Sequence, residues 1–263
     1  MNMKYIKNSK DIKYMRNVCK LASEVLDYIS NFIKIGVTTN ELDLLCYNYI
    51  INVQKAIPGP LNYFPPGYKF PFPKSICTSI NDVVCHGIPD NKFLKNGDIL
   101  NIDITVKKNN YFGDSSRMFV VGETTLNAKF LIKIAYECMW AGISKVKDNV
   151  YLNDIGNAIQ MHAEKYNFSI VKEFCGHGIG KKFHEFPQIL NYNNFKSSEK
   201  IYSGMIFTIE PMINEGSRFI YETSNGWTIK TKDKSLSAQW EHTILVTDFG
   251  FEVLTISNNY FFL

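Results

Sequence analysis

Apolar residues at positions 15, 18, 22, 25, 26, 29 and 33 fall on one face of a helix with a period of about 3.6 residues. Thr38 followed by Glu41 makes a capping box that opens a second helix, and Leu42, Leu45, Tyr49 and Val53 continue its stripe. Between 57 and 73 the periodicity stops. Six prolines and two glycines lie among aromatics there, which predicts a loop. From Ile99 the period becomes two: Leu100, Ile102, Ile104 and Val106 face one way, and Asn101, Asp103 and Thr105 the other. The turn KKNN and the strand YFGDSSRMFVVG complete a hairpin. Helical patterns return over 126–147 and again from Asn153, read as a cap, with Ile155, Ala158, Ile159 and His162 following. Strand-like stretches lie at 168–174, 205–210, 219–222, 227–230 and 238–247. Helices and strands mix without strict βαβ alternation and without a low-complexity linker. The fold class expected is therefore α/β (α+β), in one domain over 1–263.

Composition narrows the class. With 45% apolar and 21% charged residues the 263-residue chain can bury a sizeable core. A net charge of +4 is too small to announce a nucleic-acid binder. Lysine, asparagine and isoleucine are abundant and arginine is confined to 16, 117 and 218, a bias of A/T-rich codons rather than of chemistry. The first twenty residues lack the apolar core of a secretory signal, and no stretch approaches the roughly 18 apolar residues of a membrane span. Cysteines at 19, 46, 77, 85, 138 and 175 form no C-x-x-C pair, which suits free, buried thiols in a reducing compartment. A cytoplasmic location is expected.

The candidate chemistry is carboxylate-rich. If the hairpin turn is centred between Lys108 and Asn109, Asp103 and Asp114 are direct cross-strand neighbours, with Cβ atoms about 4.5–5.5 Å apart. A one-residue shift of the turn makes the pair diagonal. Like charges so placed repel unless a cation sits between them, although the pair alone also suits a solvated polar face. The second half sharpens the case. Glu210 ends the strand MIFTIE at Pro211, Glu241 sits among apolar neighbours in SAQWEHTILV, and His177 is flanked by glycines in CGHGIG. Two Asp, two Glu and one His form an oxygen-rich set suited to two divalent cations about 3.5–4 Å apart. GHGIG is not a dinucleotide-binding G-x-G-x-x-G, and His184-Glu185 does not begin H-E-x-x-H, because position 188 is Gln. His162 reads as a structural histidine on an apolar helix face. His242 must point away from the face that carries Glu241. Cys85 and Cys175 read as small buried residues without a base partner.

The segments NDVVCHGIP (81–89), NIDITV with YFGDSSRMFVVG, FCGHGIGKKFHEFPQI (174–189), GMIFTIEPM (204–212) and SLSAQWEHTILVTD (235–248) resemble type I methionine aminopeptidases of the compact bacterial kind. The resemblance runs from about Asp11 to Thr255. It implies the pita-bread fold, a curved antiparallel sheet in two pseudo-two-fold halves with helices outside. It implies that Asp103, Asp114, His177, Glu210 and Glu241 bind two metal ions (Co, Mn, Fe(II) or Zn), Asp114 and Glu241 bridging them. His86 would lie beside the substrate amine, His184 would hydrogen-bond the scissile carbonyl oxygen, and Glu210 would relay a proton. Tyr63, Phe72, Cys77, Phe183 and Trp227 would wall an apolar slot for methionine. The implied activity is removal of the initiator methionine from nascent chains when the second residue is small. The implied enzyme is a monomer meeting nascent N-termini near the ribosome, without nucleic-acid or membrane partners.

One stretch departs from the family pattern: between Tyr63 and Phe72 stand eight residues, FPPGYKFP (64–71), where relatives carry one to three. Such an insertion re-routes the loop or forms an extra lip, and it puts the placement of Tyr63 and Phe72 in question. Two alternatives share the ligand pattern or the fold. Xaa-Pro aminopeptidases and prolidases typically carry a sizeable N-terminal domain, whereas about a hundred residues precede the first ligand strand here. Non-catalytic pita-bread proteins that only bind partners have lost ligands, and all five are retained here.

Overall fold

A capping box sets the start of each of the first two helices. In the computed structural model, which describes residues 5–195 and 199–257, α1 (Ser9–Ser30) is capped by Asn8, paired reciprocally with Asp11. It buries Met15, Val18, Ala22, Val25, Leu26 and Ile29, the predicted stripe, but ends before Ile33. α2 (Thr39–Asn48) opens on the predicted box: Glu41 N–H donates to Thr38 Oγ1 at 3.1 Å and Thr38 N–H to Glu41 Oε2 at 2.7 Å. It runs on as a π-helical turn over Tyr49–Val53. The strands that follow are β1 (Ile57–Pro58), β2 (Cys77–Ile80), β3 (Val83–Cys85), β4 (Ile99–Lys108) and β5 (Tyr111–Val120). After α3 (Leu126–Ile143) and α4 (Leu152–Lys165) come β6 (Ser169–Ile170), β7 (Gly176–Gly178), β8 (Glu185–Ile189), β9 (Ile206–Ile209) and β10 (Met212–Asn214). The last are β11 (Ile220–Glu222), β12 (Ile229–Thr231), β13 (Ser237–Gln239), β14 (His242–Thr247) and β15 (Gly250–Val253).

All the strand pairs among the described residues are antiparallel. Helices α1 and α2 share one apolar core with Leu100, Ile102, Ile104 and Val106 of β4. Helices α3 and α4 share a second core with Phe207 and Ile209 of β9, Ile213 of β10 and Ile244 of β14.

Three local expectations are corrected. The β4–β5 turn is centred between Asn109 and Asn110, one residue later than supposed, with Lys108 opposite Tyr111. Both Asn residues have positive φ (52° and 64°), the geometry of a tight hairpin turn, which Asn adopts at less cost than Lys. Asp103 therefore faces Ser116, Asp114 faces Thr105, and the two carboxylates are diagonal rather than directly opposed. Asn153 does not cap α4: the cap is Tyr151, which makes no side-chain bond. Asn153 instead sits in the first turn, pairing with Asn193 at 3.0 Å and accepting the Asn194 N–H at 2.6 Å. The expected strand 238–247 is broken at Trp240–Glu241, because β13 pairs with β10 while β14 pairs with β9.

Candidate metal centre

One line of cross-strand neighbours crosses the molecule. Cys77 of β2 lies opposite Asp103, Asp103 opposite Ser116, and Ser116 is bridged to Glu241, whose N–H donates to the Ser116 carbonyl at 3.2 Å. On the far side His242 pairs with Ile209, so the next step of that register sets Glu241 across from Glu210. Period-two strands thus carry residues far apart in the chain into one row. Asp114 joins from the adjacent row, its carbonyl accepting the Thr243 hydroxyl at 2.7 Å.

His177 enters from β7. A Cβ at Gly176 would meet the Thr208 carbonyl oxygen at 2.3 Å and one at Gly178 the Phe186 carbonyl oxygen at 2.1 Å, so both neighbours must be glycine for β7 to sit this close. His177 Nδ1 donates to the Gly178 carbonyl at 3.0 Å, which leaves Nε2 bare and 3.7 Å from both Asp114 Oδ2 and Glu210 Oε1. Ligand atoms of Asp114, His177 and Glu241 all lie within 4.8 Å of one another. Two hydroxyls orient the acids: Thr105 donates to Asp114 Oδ1 at 2.8 Å and Thr208 to Glu210 Oε1 at 2.7 Å. Gln239 donates to the other Glu210 oxygen at 3.3 Å. The two threonines and Gln239 were not singled out from the sequence, although Thr105 and Thr208 lie two positions from an acid, where strand alternation puts them on the same face.

The five residues border a cavity of about 500 Å³ whose lining contains no lysine or arginine. Burial pushes Asp103 up to about 7 and Glu210 up to about 8. Asp114 and Glu241 are raised well above the carboxylate range, by burial first and then by the neighbouring acids. Burial also drives His177 down to about 3, so its imidazole is neutral and free to ligate. Four acids and a neutral imidazole with no internal counter-charge fit divalent cations.

The remaining predicted residues surround this floor. His86 follows β3 with φ +54°, and Gly87 packs so tightly that a Cβ would lie 2.0 Å from the Thr78 carbonyl oxygen. Its buried Nδ1 has no hydrogen-bond partner, and desolvation holds the ring neutral, at about 4. His184 sits at the rim, its ring 4.2 Å from that of His177 and 4.4 Å from that of Phe183. Its Nδ1 is 2.7 Å from the Tyr63 hydroxyl, a contact the sequence did not suggest.

Tyr63, Phe72, Cys77, Phe183 and Trp227 all border the cavity. The insertion does not displace the first two. Phe72 N–H donates to the Tyr63 carbonyl and Asn62 N–H to the Phe72 carbonyl, each at 2.9 Å, so residues 64–71 are looped out above a closed base. Cys77 and Cys85 are buried, with thiols raised well above their ordinary range, and Cys175 is pushed up to about 12, which leaves no thiolate nucleophile here. His242 points away from the cavity and bonds Thr255 at 2.8 Å, and His162 bonds Glu137 at 2.8 Å.

Residues 13–248 match metallopeptidase family M24. The methionine aminopeptidase of Haemophilus influenzae is 51% identical over 253 residues, covering 95% of this chain and 92% of that one. That of Escherichia coli K12 is 50% identical over 252 residues, with 95% and 93% covered. The crystal structure of methionine aminopeptidase from Rickettsia prowazekii superposes with a TM-score of 0.91 at 51% identity, covering 95% of this chain and 99% of that one. The prolidase of Pyrococcus horikoshii shares the fold, with a TM-score of 0.75 at 21% identity, and this chain covers 65% of it. The architecture is the pita-bread fold.

Proposed function

The chain belongs to metallopeptidase family M24, and on that premise we propose how it acts: as an aminopeptidase releasing the initiator methionine from nascent proteins whose second residue is small. The observation that carries the reading is the buried floor of Asp103, Asp114, His177, Glu210 and Glu241 beside an aromatic-walled recess. These five would hold the two divalent cations, and Mn, Fe(II), Co and Zn are all compatible with an oxygen-rich set. When bound, the cations neutralise the carboxylates and make water acidic enough to attack near neutral pH.

The chain's own groups do the rest. Glu210, held by Thr208 and Gln239, takes the proton of the attacking water and returns it to the leaving nitrogen. His184 donates to the scissile carbonyl oxygen as it gains charge. His86, neutral and unpartnered at Nδ1, stands at the substrate amine and handles its proton. The thioether of methionine suits a slot of Phe72, Cys77, Phe183 and Trp227. The enzyme works as a cytoplasmic monomer on nascent chains, in one domain. No helix of the described residues is long and apolar enough to cross a membrane.

The test is to strip the metal, restore Mn, Fe(II), Co or Zn singly, and measure methionine release from Met-Ala-Ser. Release with at least one ion is expected. No release with any ion, or faster turnover of Xaa-Pro peptides, overturns the reading.

A further inference from the structure

The inserted loop 64–71 makes its ring stacking and a side-chain hydrogen bond with one residue, Trp227. Tyr68 stacks on the indole with ring centroids 4.0 Å apart and planes 28° apart, and the indole Nε1–H donates to the Phe70 carbonyl at 2.9 Å. Phe72, where the loop returns, meets the same ring edge-on at 5.1 Å. From the other side the Trp227 backbone N–H is held by Asn225 Oδ1 at 3.0 Å. Trp227 is thereby fixed on a face, an edge and its only side-chain donor, and the first two of the loop's contacts come from residues 68 and 70. Tyr68 also borders the cavity itself, packed with Phe72, Cys77 and Trp227.

We propose that Tyr68 is a specificity-determining residue, which holds Trp227 so that the slot keeps the width of an unbranched side chain. The inference rests on the reading of the cavity as a methionine-specific active site and deepens it. An indole stacked on one face cannot swing outward, so a branched or aromatic first residue finds no added width. An unbranched thioether enters without moving the wall. Without Tyr68 the indole loses its stacked partner and keeps edge contacts with Phe72 and His86, with its Nε1–H bonded to a loop that has lost its anchor. Selectivity is a difference between substrates, so the loss should show as a changed ratio rather than a uniform loss of rate.

The experiment uses the metal-loaded full chain and compares kcat and KM for Met-Ala-Ser, Leu-Ala-Ser and Phe-Ala-Ser. Tyr68→Ala should lower the Met-over-Leu ratio of kcat/KM by about fivefold, the scale of one aromatic pair. The change should lie mainly in a raised KM for the methionine peptide, and Tyr68→Phe should restore the wild-type ratio. In a metal-independent arm, acrylamide quenching of tryptophan fluorescence should rise in Tyr68→Ala, and the rise should vanish when Trp227→Phe is combined with it. Tyr68→Leu, which keeps apolar volume without a stacking face, guards against a folding failure of the alanine variant and should also lower the ratio. Unchanged ratios and quenching in both the alanine and leucine variants overturn the proposal. Failure of the unaltered enzyme to release methionine would instead overturn the reading beneath it, so the two failures are distinguishable.

Discussion

The floor and the mouth of the cavity are built by opposite means. The floor is a row of strand residues placed by backbone pairing: Asp103, Ser116 and Glu241 are set by register, and Glu210 by the next step of it. The mouth is aromatic side chains on loops, placed by ring contacts and single hydrogen bonds, as in Tyr63 with His184 and Tyr68 with Trp227. A strand position is over-determined, because moving one acid would shift the whole ladder. A loop ring is held by a few contacts worth roughly a kcal/mol each. Chemistry should therefore fail steeply when the floor is altered, and selectivity should drift gradually when the mouth is.

The largest break belongs to the floor. Glu210→Gln keeps the shape and the Thr208 contact but removes the proton acceptor. We expect kcat for Met-Ala-Ser to fall roughly a hundred- to ten-thousand-fold with KM little changed. A loss of less than threefold in steady-state kinetics would move the proton-relay role elsewhere.

The second break is thermodynamic. Asp103 and Glu210 have folded-state values raised to about 7 and about 8, so in the metal-free protein they hold protons that the unfolded chain has released. A raised carboxyl makes folding less favourable as pH rises, because the unfolded state binds fewer protons. The metal-free protein should be most secure near pH 4 on this account and lose stability progressively up to about pH 8. Cations bound to the carboxylates cancel the penalty, so the gain in melting temperature on adding Mn should be larger at pH 8 than at pH 5.5, by roughly 10 °C. An equal gain at both values would mean that these acids are not the ligands.

A third test reaches the hydroxyls beneath the acids. Thr208→Val should weaken metal affinity by roughly ten- to a hundredfold, read by titrating the metal-free protein and following recovered activity. Thr105→Val should act similarly through Asp114. Neither should alter the preference for methionine over leucine, because neither reaches the aromatic mouth.

The same contrast explains what could be read from the sequence. Alternation in ILNIDITV put Asp103 and Thr105 on one strand face, and the box Thr38–Glu41 located the start of α2. Both are local patterns. The hairpin register lies one residue later than the sequence pattern predicts because KKNN offers two turn centres, and the positive φ of Asn109 and Asn110 decides between them. Asn153 resembles a cap locally, but a tertiary partner in residues 193–194 claims its side chain. The four acids and the imidazole were recognisable from their segments, whereas the looped-out 64–71 gave no hint of which ring it would cover. That depends on Trp227, more than 150 residues away in the chain.

The smallest test is at the boundary between floor and mouth. Tyr63 was expected only as a wall of the slot, yet its hydroxyl lies 2.7 Å from His184 Nδ1. Burial raises the Tyr63 phenol above its ordinary range, so it keeps its proton, and desolvation lowers His184 and keeps that ring neutral. A protonated phenol against a neutral imidazole donates to Nδ1, which places the ring's own proton on Nε2. That tautomer can donate to the oxygen of the scissile carbonyl as charge develops there, and the other cannot. Tyr63→Phe keeps the ring that meets Phe183 at 4.8 Å but releases His184 to either tautomer. We expect kcat to fall about three- to tenfold, the scale of one hydrogen bond, with KM for the methionine peptide and the Met-over-Leu ratio unchanged. If instead KM rises and kcat holds, Tyr63 belongs to the mouth alone, and His184 is oriented by its stacking on Phe183 and its tilted contact with His177.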